Sequence, residues 1–324
     1  MGVVTSIEWA DATVNPGIYG CAKVSQACNS CYAMRMAHRQ VAMGNYPVGV
    51  TRLGSRGPEW TGNVYVDYAR IPHAFDALPK RRPARVFVTS MADLFHRDVP
   101  DPFIETVFVE MNNRPHLTFQ VLTKRPERIR PWYAASVFGL SAIGWPSNVW
   151  IGTTVEDQQR ADERIPALLR VPAAVRFLSC EPLLSAVVLP PDFLALGQRG
   201  WCIGGGESGP HARPTHPAWA RALRDQCVDA GIPFFWKQWG CWAPGEDVEA
   251  NGTDWPGMYA HDPRGSGVPR HSWPDASIRE TARRLGKGEL GAIIDMDTTV
   301  LRVGKKAAGR LLDGREWSQF PESR

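Results

Sequence analysis

Three cysteines crowd one short run of the chain, Cys21, Cys28 and Cys31 in GCAKVSQACNSCYAMRMAHR. Six residues separate the first from the second, and two separate the second from the third. Thiolates are soft donors, and three on one loop can hold a metal centre with one coordination position left open. A structural zinc site closes its shell with four protein ligands, whereas an open position belongs to sites that do chemistry. On a four-iron–four-sulfur cluster, three cysteines leave one iron free to take a small molecule. The same residues admit an alternative, zinc completed by a distant ligand such as His38, His96 or one of Cys180, Cys202, Cys227 and Cys241.

Such a loop needs a scaffold, and the chain downstream supplies a regular one. Apolar runs rich in Val, Ile and Phe recur at Arg85 to Ser90, Leu117 to Lys124, Val149 to Thr154, Val175 to Cys180, Trp201 to Gly205 and Ile232 to Gln238. Runs of this length and composition read as strands buried on both faces. Their apolar starts lie 26 to 32 residues apart, the length of one strand and one crossover helix. Helices are expected at Phe103 to Asn112 with Asp101 as N-cap, at Glu156 to Arg170 and at His216 to Ala230, where Gly231 ends the helix. Cys31 to Met43 also has a helical pattern, and a first strand is expected within Thr5 to Ala12, just before the cysteines. The fold class is α/β, a full or partial (β/α) barrel over residues 1 to 240. Residues 241 to 324 are expected to form an irregular Gly-, Pro- and Trp-rich lid and a C-terminal helix packed on the barrel.

In such barrels the working face lies at the C-terminal ends of the strands. Here those ends carry Thr89-Ser90-Met91-Ala92-Asp93, Thr123-Lys124-Arg125, Thr153-Thr154-Val155-Glu156, Ser179-Cys180-Glu181, Gly204-Gly205-Gly206-Glu207-Ser208 and Lys237-Gln238-Trp239. Ionisable or hydroxyl groups follow every apolar run, more than a purely structural barrel requires. Glycines at 204 to 206 would let backbone approach a ligand, although Pro210 and Pro214 exclude the helix of a dinucleotide fingerprint. Lys124 and Lys237 suit a carboxylate or phosphate, and His96 an acid or base. Cys180 suits a hydrogen donor or fourth ligand, or else a small core residue. Glu156 would equally cap its helix.

The composition narrows the class. The chain has 324 residues, 44% of them hydrophobic, enough to bury a large core. No apolar run reaches the length of a membrane span, and the first residues lack a secretory pattern. Seven cysteines, three of them clustered, fit a metal site in a reducing cytoplasm better than a disulfide framework. The net charge is only +4, but Lys80 to Arg82, Lys124 to Arg130 and Lys305 to Arg310 are basic clusters that attract phosphates.

The blocks TSIEWADATVNP, GCAKVSQACNSCYA, FVTSMADLFH, VLTKRPERI, WIGTTVEDQ, RFLSCEPLL, GGESGPHARP, PFFWKQWG and VGKKAAGRLLDGREW resemble a phage-associated three-cysteine-motif family of uncharacterised proteins. They run from Thr5 to Trp317, nearly the whole chain. That family is in turn remotely similar to radical S-adenosylmethionine (SAM) enzymes. Two departures stand out. The first cysteine spacing is six where the usual loop has three, and Thr89 to Asp93 occupies the place of the usual Gly-Gly-Glu motif.

The resemblance implies a radical-SAM-like partial barrel with a four-iron–four-sulfur cluster on Cys21, Cys28 and Cys31. It implies SAM as small-molecule cofactor, an electron donor as partner, and a radical that abstracts hydrogen from the substrate. By the same analogy Asp93, Lys124, Glu156, Glu181, Gly204, Gly205, Gly206, Glu207 and Ser208 would contact SAM or substrate, and Cys180, Lys237 and His96 would take part in the chemistry. The phage association and basic clusters favour a nucleic acid or nucleotide as substrate. Two other classes remain open from the residues alone: a metal-containing nucleic-acid-binding phage protein without catalysis, and a zinc-dependent barrel hydrolase.

Overall fold

The computed structural model describes residues 5–55, 57–136, 142, 144–244, 282–285, 289–293 and 299–322. Seven short strands follow one another across a single parallel sheet: β1 (Ala12–Val14), β2 (Ala84–Val88), β3 (Leu117–Thr123), β4 (Val149–Thr154), β5 (Arg176–Cys180), β6 (Gly200–Gly204) and β7 (Phe234–Trp236). Spatial order equals chain order, so each unit adds to the same edge and the sheet curls into a partial (β/α) barrel. The register keeps the ends level, with Val14 beside Val88, Val88 beside Val121, Thr123 beside Thr153 and Gly204 beside Cys180 and Trp236. The first strand starts later than expected. Ile7 to Ala10 form a turn, and the ladder begins only where the Asp11 amide donates to the Arg85 carbonyl.

Alternation along the strands divides the core in two. Val86, Val88, Phe119, Val121, Ile151, Leu178, Cys180, Cys202, Phe234 and Trp236 belong to the large layer that also takes in helix residues such as Phe108, Ile165 and Leu223. Phe87, Trp150, Phe177, Trp201, Ile203 and Phe235 face inward with Trp9 and Leu122. The barrel is thus floored with aromatic rings. Gly152 makes room there, since a Cβ on it would sit 2.4 Å from the Phe177 ring.

Four helices matter for the site: α1 (Tyr32–Ala42), α2 (Asp101–Asn112), α3 (Gln158–Leu169) and α4 (Pro217–Asp229). Pro100, extended, takes the N-cap position of α2, one residue before the expected Asp101. Asp157 caps α3 by accepting from the Arg160 amide at 2.8 Å, and Glu156 therefore stands outside the helix. His216 Nδ1 caps α4, followed by Pro217. Residues between β1 and β2 make a long excursion. It holds the cysteine loop, α1, the hairpin Thr51–Gly54 with Gly57–Trp60, and the pairing of Ile18–Tyr19 with Tyr65–Val66.

The C-terminal end protects the last strand. The Trp236 amide donates to the Trp317 carbonyl and the Gln319 amide to the Phe234 carbonyl, so the tail runs antiparallel along the edge of β7. Phe320 then packs on Trp201 and Phe235, with the Arg85 guanidinium 3.8 Å from its ring centre.

The expectation of an irregular C-terminal region is corrected where it is described. Trp242–Pro244, Thr299–Arg302, Glu289–Ile293 and Ala282–Leu285 form a four-stranded antiparallel sheet. Of the expected lid, residues 245–281, 286–288 and 294–298 lie outside the described residues. A short helix at Lys305–Ala308 and a tight hairpin follow. Among the described residues no helix is long and apolar enough to cross a membrane.

Candidate functional site

The cysteine loop leaves the C-terminal end of β1 and lies at the barrel mouth. Gly20, at φ +93°, lets the loop press against the segment that follows the hairpin: a Cβ there would stand 2.2 Å from the Asn63 carbonyl oxygen. Cys28 sits in a turn of 3-10 helix, and Cys31 immediately precedes α1. Cys21 and Cys31 pack against Ala33, Met34, Ala37, Trp60 and Met91. Burial pushes the Cys21 thiol up to about 12, helped by the Asp93 carboxylate and opposed by Arg125, with Cys31 and Cys28 close enough to add to the shift. Burial also raises Cys31, against the pull of Lys124. The three thiols are therefore neighbours, with Cys21 and Cys31 held neutral, and metal uptake would release protons. Among the described residues, no three His, Cys, Asp or Glu side chains stand close enough to grip an ion as placed, so these sulfurs would have to draw together on binding. The donor chemistry, three soft thiols with no carboxylate in their loop, fits an iron–sulfur or other thiophilic centre.

Asp93 is built into the support of this loop. Its carboxylate, 6% exposed, accepts from the Phe95 amide at 3.0 Å, Thr123 Oγ1 at 2.7 Å, the Lys124 amide at 3.2 Å and the Arg125 guanidinium at 2.7 Å. Arg125 in turn donates to the Ala22 carbonyl at 3.4 Å and reaches the Cys21 thiol. Burial opposes its charge, but Asp93 and Cys21 outweigh burial and raise its pKa. Thr89, at φ +59°, opens the Thr89–Asp93 turn, a strained conformation for a branched residue.

Above the aromatic floor, the next inward positions carry the polar groups. Asn15 and Ser90 exchange side-chain hydrogen bonds at 3.3 Å. Lys124 Nζ donates to Thr154 Oγ1 at 3.0 Å and makes no ion pair among the described residues. Lys237 Nζ donates to both Glu181 oxygens, at 2.8 and 3.0 Å. Tyr32, the first residue of α1, donates its hydroxyl to the Ser90 carbonyl at 2.6 Å. Burial raises the Tyr32 pKa, with Cys31 and Glu181 adding to it, which puts the ring between the cysteine loop and the Lys237–Glu181 pair.

Other predicted residues are engaged elsewhere. Glu156 is fully buried and paired with Arg164 at 2.9 Å beneath the mouth, while Arg164 also donates to the Thr154 carbonyl. Glu207 grips Arg213 through both oxygens, at 2.6 and 2.9 Å, and Arg213 reaches on to the Gln26 carbonyl in the cysteine loop at 3.2 Å. Ser208 accepts from Gln238 at 3.2 Å.

The glycine run is explained largely by packing. A Cβ on Gly206 would meet the Trp239 carbonyl oxygen at 2.0 Å, and one on Gly204 the Trp236 ring at 2.9 Å. Gly205 alone has ordinary clearance, 3.4 Å from Glu181, and faces the mouth.

Cys180 does not face the mouth. One residue before the inward Glu181, it points into the helix layer, fully buried with Cys202 and Cys227, whose thiols meet there. No hydrogen donor or metal ligand for the mouth can come from that side of the sheet. His96 is also fully buried. Its Nδ1 accepts from the Asp98 amide at 3.3 Å and its Nε2 has no partner among the described residues. Burial, then Arg125, lower its pKa to about 4, leaving a neutral core imidazole rather than an acid or base at the mouth.

Sequence reasoning passed over Arg125, Arg213 and Tyr32 as site residues. Arg125 was flagged only by its place after Lys124 at a strand end. Fold and site together define a parallel partial (β/α) barrel with a three-cysteine loop at the mouth and a charged ring around it. By sequence the chain belongs to the family described as "Protein of unknown function (DUF5131)", whose model matches residues 4–321. No curated protein and no solved structure matches it.

Proposed function

We propose that the chain is an iron–sulfur enzyme of radical SAM type, with Cys21, Cys28 and Cys31 as ligands of a four-iron–four-sulfur cluster. When bound, the cluster and SAM together supply reductive cleavage of the cofactor and a radical that takes hydrogen from a substrate. One observation carries the reading: the three thiols sit at the C-terminal mouth of a parallel partial barrel, directly after its first strand and beside inward Lys124, Glu181 and Lys237. That is the face on which such barrels do chemistry.

The chain's own groups have distinct work in this reading. Asp93 and Arg125 hold the cysteine loop to the end of β3, and Glu207 and Arg213 hold it to the end of β6. Lys124, which makes no ion pair among the described residues, binds an anionic group. Lys237 and Glu181 offer a donor and an acceptor next to the clear backbone of Gly205. The aromatic floor keeps water from reaching the mouth from below.

The test is anaerobic reconstitution followed by dithionite and SAM. Release of 5′-deoxyadenosine is expected. A loaded cluster that yields none overturns the radical mechanism.

A further inference from the structure

The excursion between β1 and β2 differs from the rest of the surface. It carries nine basic residues, Arg35, Arg39 and Arg70 among them, against three acidic ones, Glu59, Asp67 and Asp76, an excess of six where the whole chain has only +4. It also holds five of the seven tyrosines, Tyr19, Tyr32, Tyr46, Tyr65 and Tyr68. The exposed large apolar side chains gather there too, Val48 at 78% and Leu53 at 72% among them, whereas Val188 and Val228 are the ones beyond it among the described residues. Arg35, Arg39 and Arg70 are exposed and make no ion pair among the described residues. A solvated basic face would not bring aromatic rings with it.

The rings are organised. Tyr19, Tyr46, Tyr65, Asn45, Pro47 and Asp67 line an open groove of about 380 Å³. Tyr19 and Tyr46 meet edge to face at 4.9 Å, which fixes their planes, and Tyr65 stands 44% exposed on the far strand. Arg70 lies near enough to act on the Tyr46 hydroxyl, whose pKa burial raises and Arg70 lowers. Tyr46 also packs on the cluster around Cys21 and Cys31, so the groove adjoins the cysteine loop.

We infer that this groove is a docking surface for single-stranded nucleic acid that leads the strand past the cysteine mouth. Flat rings at the groove offer stacking faces to unpaired bases, and exposed Arg70 beside Tyr46, which makes no ion pair among the described residues, offers charge to a phosphate. Asn45 and Asp67 also line the groove, and Asp67 Oδ1 accepts from the Ala69 amide. A folded duplex has no free base faces for these rings, so single strands are preferred. The inference goes beyond the reading of the cysteines, because neither the groove nor the arginines need a metal.

The experiment is a fluorescence anisotropy titration of the full chain, as purified anaerobically, with labelled single-stranded DNA and RNA of about 20 nucleotides over a range of salt. Binding should weaken steeply with salt, and a duplex of the same sequence should bind less tightly. Tyr65→Ala should weaken binding about 5- to 100-fold while Tyr65→Phe restores it, since stacking needs the ring alone. Arg70→Ala should reduce the salt slope by about 0.7. Melting curves of each variant exclude unfolding as the cause. Three results overturn the inference: no binding at low salt, equal binding by Tyr65→Ala, or preferential binding to anionic lipid vesicles. Iron measured on the same samples separates the two claims, since strand binding by a metal-free chain sinks only the cluster, and a loaded cluster without strand binding sinks only this surface.

Discussion

Replacing Asp93 by Ala tests whether this carboxylate supports the cysteine loop or waits for a ligand. The substitution removes four hydrogen bonds at once and leaves the Arg125 guanidinium buried without its counter-charge. Breaking a buried ion pair by deleting one partner costs about 3–5 kcal/mol. Unfolding entropy of about 2.1 cal/mol/K per residue, over 324 residues, gives about 0.7 kcal/mol/K, so the melting temperature should fall by about 4–7 °C. Circular dichroism melts of the metal-free protein measure it. Arg125→Met alone should cost a similar amount, because it strands the Asp93 charge. The double variant should cost well under the sum, with a coupling of about 1–3 kcal/mol. A shift below about 1 °C for Asp93→Ala would refute the supporting role, and additive losses would show that the pair does not act as a unit.

The remaining predictions use the same logic. Glu156→Ala leaves Arg164 buried and unpaired, and chemical denaturation should register a loss of about 3–5 kcal/mol, where an exposed cofactor contact would cost little. Gly206→Ala forces a Cβ onto the Trp239 carbonyl and should destabilise by about 3 kcal/mol or more, while Gly205→Ala should melt within a degree or two of wild type and act only on ligand binding. His96 has a folded pKa of about 4 against 6.5 unfolded, so the unfolded chain binds more protons between those values. Stability from this group is complete above pH 6.5 and is lost as pH falls toward 4, on the order of 3 kcal/mol, and His96→Phe should flatten that part of the pH–stability curve.

Much of the barrel is legible in the residues. The six apolar runs coincide with strands to within two residues at nearly every end, because strands buried on both faces must be apolar throughout. Their spacing gives parallel order, since a crossover helix needs that length. Side choice was the harder part. Cys180 and Glu181 are adjacent, and reading both toward the mouth ignored the alternation that sends Cys180 with Leu178 into the helix layer. His96 and Glu156 were legible as polar, but not as buried, because their burial comes from elements distant in sequence.

The reach of the arginines that pair with strand-end acids was invisible for the same reason. Arg125 reaches back across 103 residues to Ala22, and Arg213 across 187 to Gln26. The glycine run suggested a ligand cradle, and only the crossing of the Trp239 backbone shows why Gly206 has no side chain. The place of the cysteine loop, after a first strand and before a helix, was legible from the order of these segments along the chain.

The central claim is the metal centre, and its most direct test is the metal content of the full chain purified without air. The account predicts iron and acid-labile sulfide in equal amounts, a broad absorption near the visible that dithionite bleaches, and loss of both in Cys21→Ala, Cys28→Ala and Cys31→Ala. Stoichiometric zinc without sulfide, or iron retained when any of the three cysteines is removed, would contradict it.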